Sequence, residues 1–250
     1  MASINPIAVL RVDLGLLRRH LRGLYWLLRS RNEVLVGSVR IRLEEEWATR
    51  VVRRMIYMDR YELDERHVLA ATLRPTDRYL EVGAGLGVLA TWACGVVGDG
   101  AVYAYEANPK LISVIADTAH RNGVAPDITH AVLGDRTGTA EFHICRSEFW
   151  SSRLRRDHAD VDTVSVPIIE FATELERSRA TYLMVDIEGG EIQLLAEEPV
   201  PATVRAICVE THPEITGPRE TQRMLRKLMD EGFVLRLRDC RHDVAYLDRF

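Results

Sequence analysis

The chain has almost no lysine. Of 33 basic residues only Lys110 and Lys227 are lysines, which leaves 33 − 2 = 31 arginines. With 37 acidic residues the formal net charge is −4, the wrong sign for a chain that grips nucleic acid through its phosphates. The arginine bias fits genomic codon usage better than a basic recognition surface. Cysteine is scarce as well. Cys94, Cys145, Cys208 and Cys240 are far apart, make no C-x-x-C pair and fall in apolar patterns. They are expected to be buried, reduced thiols in a cytoplasmic protein rather than disulfides or zinc ligands. No apolar run approaches the roughly 20 residues that span a bilayer, and the N-terminus lacks the basic cluster and uninterrupted apolar core of a signal peptide. There is no internal repeat and no low-complexity linker. What remains, 250 residues of which 47% are hydrophobic and 28% charged, suffices for one sizeable domain.

Two regions are expected, an N-terminal extension over 1–33 and a main domain over 34–250. In the extension Leu10, Leu14, Leu17, Leu21, Leu24 and Leu28 recur at steps of four and three, the seam of an amphipathic helix. Arg18, Arg19, Arg22 and Arg29 decorate it, and Gly15 and Gly23 each weaken it by about 1 kcal/mol relative to alanine. Such a helix needs a surface to dock on: its own domain or a homodimer partner first, an anionic membrane surface or a carrier protein second. Residues 34–43 alternate as a half-buried strand does, and residues 44–73 return to helical spacing.

From Arg78 onward strand and helix alternate. Strands are expected near 78–82, 101–106, 128–133, 139–144, 163–168, 181–186, 204–210, 233–238 and 243–248, with helices near 87–97, 108–122, 169–178, 190–197 and 218–231. This alternation specifies an α/β fold with a mostly parallel sheet, helices on both faces and an antiparallel last pair of strands.

Three strand ends carry chemistry. The first, Leu80-Glu81-Val82-Gly83-Ala84-Gly85-Leu86-Gly87, runs from a strand through a glycine turn into a helix, so backbone at Gly83, Ala84, Gly85 and Gly87 can approach a ligand. Its carboxylate discriminates between ligands. A dinucleotide pyrophosphate near Glu81 meets a like charge costing about 4 kcal/mol at about 4 Å, whereas the ammonium and sulfonium of S-adenosylmethionine are attracted. The second, Tyr105-Glu106-Ala107-Asn108-Pro109, ends a strand in an acid 106 − 87 = 19 residues after Gly87, where a carboxylate grips ribose hydroxyls; Asn108 and Pro109 open the next helix. At the third, Val132-Leu133-Gly134-Asp135, Asp135 is placed to accept a bond from an adenine amino group. Beyond them lies Asp186-Ile187-Glu188-Gly189-Gly190-Glu191, an acidic turn after the apolar strand Tyr182 to Val185, which delivers carboxylates to the mouth of the sheet.

The order of these motifs resembles the FkbM family of S-adenosylmethionine-dependent methyltransferases. Tyr61-Glu62, Leu80 to Gly87, Tyr105-Glu106, Leu133 to Gly138, Ser151-Ser152, the acidic hexapeptide and Val209-Glu210-Thr211-His212 carry the resemblance, which spans roughly residues 34–240. Met184 stands where a lysine is common, and Ala107 where a proline is. The resemblance implies a Rossmann-like class I methyltransferase fold with a seven-stranded sheet. It also implies methylation of a hydroxyl on a sugar or other natural-product intermediate, with no nucleic-acid partner.

Methyl transfer requires alignment of acceptor and methyl, and a base for the hydroxyl proton. Asp186 and Glu188 at one strand end should converge with Glu210 and His212 at the next. His212 is the leading base, oriented by Glu210, and Asp186 the second candidate. A magnesium or calcium ion on Asp186, Glu188 and Glu210 is a further reading, less favoured than carboxylates binding hydroxyls directly. Phe149-Trp150-Ser151-Ser152-Arg153 is expected to loop over the site, with Trp150, Ser151, Ser152 and Arg153 against the acceptor. Two readings from other classes stand beside this one: a nicotinamide-dependent oxidoreductase on the same sheet, and a non-catalytic assembly subunit.

Overall fold

The structure is a computed structural model. It describes Leu21, residues 32–44, 47–145 and 161–249, and the backbone at 151–152. The leucine seam over 1–33 therefore lies, but for Leu21 and residues 32 and 33, outside the described residues, as do Trp150, Arg153, Arg155 and Arg156.

A seven-stranded sheet forms the centre. Its strands are β3 (Tyr79–Val82), β4 (Val102–Glu106), β5 (Asp127–His130), β10 (Tyr182–Val185), β11 (Ala206–Glu210), β12 (Val234–Leu235) and β13 (Val244–Asp248), in the order β12-β13-β11-β10-β3-β4-β5. The five from β11 to β5 are parallel, and β13 runs antiparallel between β11 and β12. The chain leaves β3 toward β5 on one side and returns to β10 on the other, so strand order reverses between β3 and β10. Crevices outside the carboxyl ends at such a reversal are where ligands bind.

Side chains alternate across the strands and bury both faces. Leu80, Val82, Leu183, Val185, Ile207 and Val209 pack against helices α5 (Phe171–Ser178), α6 (Glu191–Ala196) and α7 (Pro218–Asp230). Tyr79, Tyr182, Met184, Ala206 and Cys208 pack against α2 (Leu63–Thr72), α3 (Val88–Val97) and α4 (Pro109–Arg121). Asn108 caps α4, accepting the Lys110 amide at 3.1 Å, with Pro109 in the first turn.

Several expectations need correction. Residues 34–43 are not one strand but a hairpin of β1 (Glu33–Val36) and β2 (Val39–Arg42), turned at Gly37. The helical stretch over 44–73 is two helices, α1 (Arg50–Tyr57) and α2, broken at Met58 to Glu62. The hairpin and α1 bury Val36, Ile41, Val52 and Ile56 against Leu86, Val88 and Leu111, capping the ends of α3 and α4 and carrying Tyr61 and Glu62 onto the glycine turn. The strand expected at 128–133 divides at Ala131: β5 stays in the main sheet, and β6 (Val132–Gly134) joins a second, four-stranded sheet with β7 (Gly138–Cys145), β8 (Ser151–Ser152) and β9 (Val161–Glu170), ordered β6-β9-β7-β8. Ser151-Ser152 is thus a short strand paired to Ile144 and His143 rather than a loop. The strand expected over 233–238 shrinks to two residues. Cys94, Cys145 and Cys208 are buried and form no disulfide, while Cys240 is only partly buried. No helix among the described residues is long and apolar enough to cross a membrane.

Candidate active site

A cavity of about 720 Å³ opens at the strand reversal, walled by the ends of β3, β4, β10 and β11, by α2, and by Leu133, Phe142, Ile144 and Cys145 of the second sheet. Carboxylates dominate its polar lining, which also carries Arg60, Lys110 and His212.

The glycine turn forms the floor. Gly83 has φ +91°, and a Cβ there would overlap the Asp186 carbonyl oxygen, so the turn after β3 and the acidic turn after β10 touch through backbone. Gly85, at φ +53°, leaves no room for a side chain because a Cβ would stand 2.6 Å from the Tyr61 hydroxyl. That hydroxyl accepts the Leu86 amide at 3.2 Å. Gly87 does not line the cavity; it lets α3 approach Ile115 of α4. Ala84 is buried among the residues packed on α3.

Glu106, expected to hold the ribose, lines the cavity. Its carboxylate faces the cavity and accepts amides from Gly85 at 2.8 Å and from Asn108 at 2.7 Å. Burial lifts it to about 7, against the lowering effect of these amides. Ala107 lines the wall beside it, whereas Asp135 stands exposed beyond the lining.

Glu81 departs from expectation. Its side chain falls on the sheet face packed by α2 and α3, 1% exposed and off the cavity wall, and both carboxylate oxygens lack hydrogen-bond partners among the described residues. Burial raises it well above the usual carboxylate range, and Glu62 and Glu106 add repulsion. The acid at the cavity side of the turn is instead Glu62, in left-handed backbone at φ +47°. Burial and then Glu65 push Glu62 up to about 8; burial and then Glu210 push Glu65 up to about 7.

The far end holds the converging group. Val185 of β10 pairs with Val209 of β11, so the turns that follow lie side by side. His212 Nε2 stands 3.8 Å from Asp186 Oδ1, from Glu188 Oε2 and from Glu210 Oε2. Glu188 reaches this position from left-handed backbone at φ +52°, a conformation of the kind that clusters at functional sites. Burial, then Glu210 and Glu188, raise Asp186 well above its usual range, and burial raises Glu210 as well. Two such close carboxyls cannot both ionise cheaply.

The residue that orients His212 is Glu191, not Glu210. Glu191 is fully buried at the start of α6; its Oε1 meets His212 Nδ1 at 3.3 Å and accepts the His212 amide at 3.1 Å, while Oε2 accepts the Gly189 amide at 2.8 Å. Burial alone would lower the imidazole, but Glu191, Glu188 and Glu210 outweigh it and raise it to about 9. A histidine raised in this way favours its charged form, which bears against the expected role as a ready base. Tyr61, Glu62, Glu65 and Glu191 thus join the site beyond the expected residues; Tyr61-Glu62 and Glu191 lay within quoted motifs, whereas Glu65 carried no local signal.

The match to known proteins follows this geometry. The family model described as the methyltransferase FkbM domain matches residues 81–235. No curated protein matches the chain. Among solved structures, the chain is similar to precorrin-6y C5,15-methyltransferase from Geobacter metallireducens GS-15, at 12% identity and a TM-score of 0.42 over 74% of this chain and 85% of that one. It is similar also to M. jannaschii TYW2 in complex with AdoMet, at 10% identity and 0.41 over 88% of each chain. The Methanococcus jannaschii fibrillarin pre-rRNA processing protein shows 11% identity and 0.38 over 87% and 80%. The strand order and the family match, rather than these overlaps, identify the fold as the class I methyltransferase type. The chain belongs to the FkbM family of S-adenosylmethionine-dependent methyltransferases.

Proposed function

We propose that the protein transfers the methyl of S-adenosylmethionine to a hydroxyl oxygen of a polar small molecule, a sugar or similar polyol. The observation that carries this reading is the convergence of Asp186, Glu188, Glu210 and His212 in one cavity with Glu106 and the glycine turn. Glu106 would accept the ribose hydroxyls, one oxygen each, and backbone at Gly83 and Gly85 would run along the cofactor. The carboxylate-rich wall at Glu62, Glu65 and Asp186 favours a ligand carrying positive charge. When bound, the cofactor supplies an electrophilic methyl on a sulfonium.

The chain's own work is to hold the acceptor and remove its proton. Carboxylates are acceptors suited to polyol hydroxyls. Bound here, the cofactor would supply the methyl for the new C–O bond and its sulfur would keep the C–S electrons, while Glu188 would take the hydroxyl proton. Glu188 fits this task because it faces the cavity, 30% exposed, with a route to solvent. His212, held by Glu191 through Nδ1, turns Nε2 toward the surrounding carboxylates. The buried thiols Cys94, Cys145 and Cys208, none in a disulfide, support a reducing, cytoplasmic setting. The family match argues against a nicotinamide oxidoreductase.

The test is incubation with methyl-labelled cofactor and a panel of polyhydroxylated acceptors. Label on an acceptor oxygen, lost in Glu188→Gln, is expected; tight NAD binding with no response to S-adenosylhomocysteine contradicts the reading, and binding of the cofactor without turnover on any acceptor favours an assembly role.

A further inference from the structure

His212 is 7% exposed, and among the described residues only one end of its ring has a hydrogen-bond partner. Nδ1 is held by Glu191, whereas Nε2 makes no hydrogen bond among the described residues and points into the space between Asp186, Glu188 and Glu210. Asp186 Oδ1, facing that space, is also shut off from solvent without a hydrogen-bond partner. Buried polar atoms are ordinarily satisfied, so this orphaned Asp186 oxygen, facing an Nε2 with no hydrogen bond among the described residues, indicates a missing partner.

We propose that this space is a divalent transition-metal site, with His212 Nε2, one Asp186 oxygen and one Glu210 oxygen as ligands. These donor atoms lie within 4.8 Å of one another. Donors about 2.1 Å from a common ion stand roughly 3.0 to 4.2 Å apart, and the 3.8 Å separations of Nε2 from both carboxylates fall inside that range. Glu191 supplies the outer hydrogen bond that metal-binding histidines need: it keeps the proton on Nδ1 and turns Nε2 toward the ion. Oxygen ligands alone would suit magnesium or calcium, but an imidazole nitrogen shifts the preference to manganese, iron or zinc. Manganese, which accepts mixed oxygen and nitrogen ligands, is the probe of choice.

Three protein ligands leave coordination positions open. The inference rests on the proposed methyl transfer only for the ion's role, which is to bind the acceptor hydroxyl and lower its pKa before Glu188 takes the proton. Ion binding itself needs no acceptor.

The full-length protein, stripped with chelator, is titrated with manganese chloride and followed by electron paramagnetic resonance. One ion per chain is expected to quench the free-ion signal, with nitrogen modulation from one imidazole. His212→Gln should abolish the modulation and weaken binding at least tenfold, as should Asp186→Asn, whereas Glu188→Gln should change affinity less than threefold. Circular dichroism and calorimetry with S-adenosylhomocysteine verify that each variant folds. No bound manganese at millimolar concentration in the wild type, or bound manganese without nitrogen modulation, overturns the site. Methyl transfer that persists after that outcome leaves the proposed function standing, and manganese bound without any methyl transfer does the reverse.

Discussion

Glu191 Oε1 lies 3.3 Å from His212 Nδ1 and accepts the His212 amide as well, joining the first turn of α6 to the end of β11 through one fully buried carboxylate. Charge-assisted hydrogen bonds of this kind contribute about 1.5 to 3 kcal/mol, and removing one partner of a buried pair strands the other. Glu191→Gln should therefore destabilise the protein by about 3 kcal/mol in urea unfolding. It should also bring His212 down from about 9 in an NMR titration. An unchanged His212 titration would show that another group sets its charge.

Glu106 gives a prediction about the cofactor. Replacing it with glutamine keeps the shape but removes the charge, and S-adenosylhomocysteine should bind roughly 10- to 100-fold more weakly by calorimetry, equivalent to one or two charge-assisted hydrogen bonds. Since burial pushes the carboxyl up to about 7, wild-type affinity should rise between pH 6 and 8 as it ionises. The glutamine variant should lose that rise.

The buried acids predict how the free protein responds to pH. Glu62, Glu65 and Glu106 are raised to about 8, 7 and 7 from an ordinary 4.5. A carboxyl raised on folding holds its proton more tightly in the native state, so its contribution is fully present below 4.5 and is lost as pH climbs through its folded value. Tm of the ligand-free protein should fall from pH 5 to pH 8.5 in calorimetric scans. A Tm rising over that interval would contradict the burial of these acids.

Gly83→Ala should be among the most damaging small substitutions. Its φ of +91° is hostile to a side chain, and the added methyl would overlap the Asp186 carbonyl, where strain alone costs about 1 to 3 kcal/mol. Gly138→Ala, with open space around it, is the control expected to leave chemical denaturation within about 0.5 kcal/mol of wild type.

The parts of this site legible in the sequence were those encoded locally. A glycine turn between strand and helix, Glu106 before an Asn-Pro helix start, and an acidic turn after β10 each sit within a few consecutive residues, and the structure brings Gly83, Gly85, Glu106, Asp186, Glu188, Glu210 and His212 to one cavity. The direction of Glu81 was not legible, because β3 is buried on both faces and shows no alternation of polarity. Nor was the Glu191–His212 pair, which depends on the register of β10 against β11. Glu62 and Glu65 reach the cavity only because the β1–β2 hairpin and α1 press their segment onto the glycine turn. The second sheet escaped notice because β5 and β6 read as one continuous strand across Ala131.

The most direct test of the account is a crystal structure of the complex with S-adenosylhomocysteine. It should show both ribose hydroxyls on the Glu106 carboxylate and the sulfur facing the group formed by Asp186, Glu188, Glu210 and His212. A ribose bound away from Glu106, or a sulfur turned from that group, would contradict it.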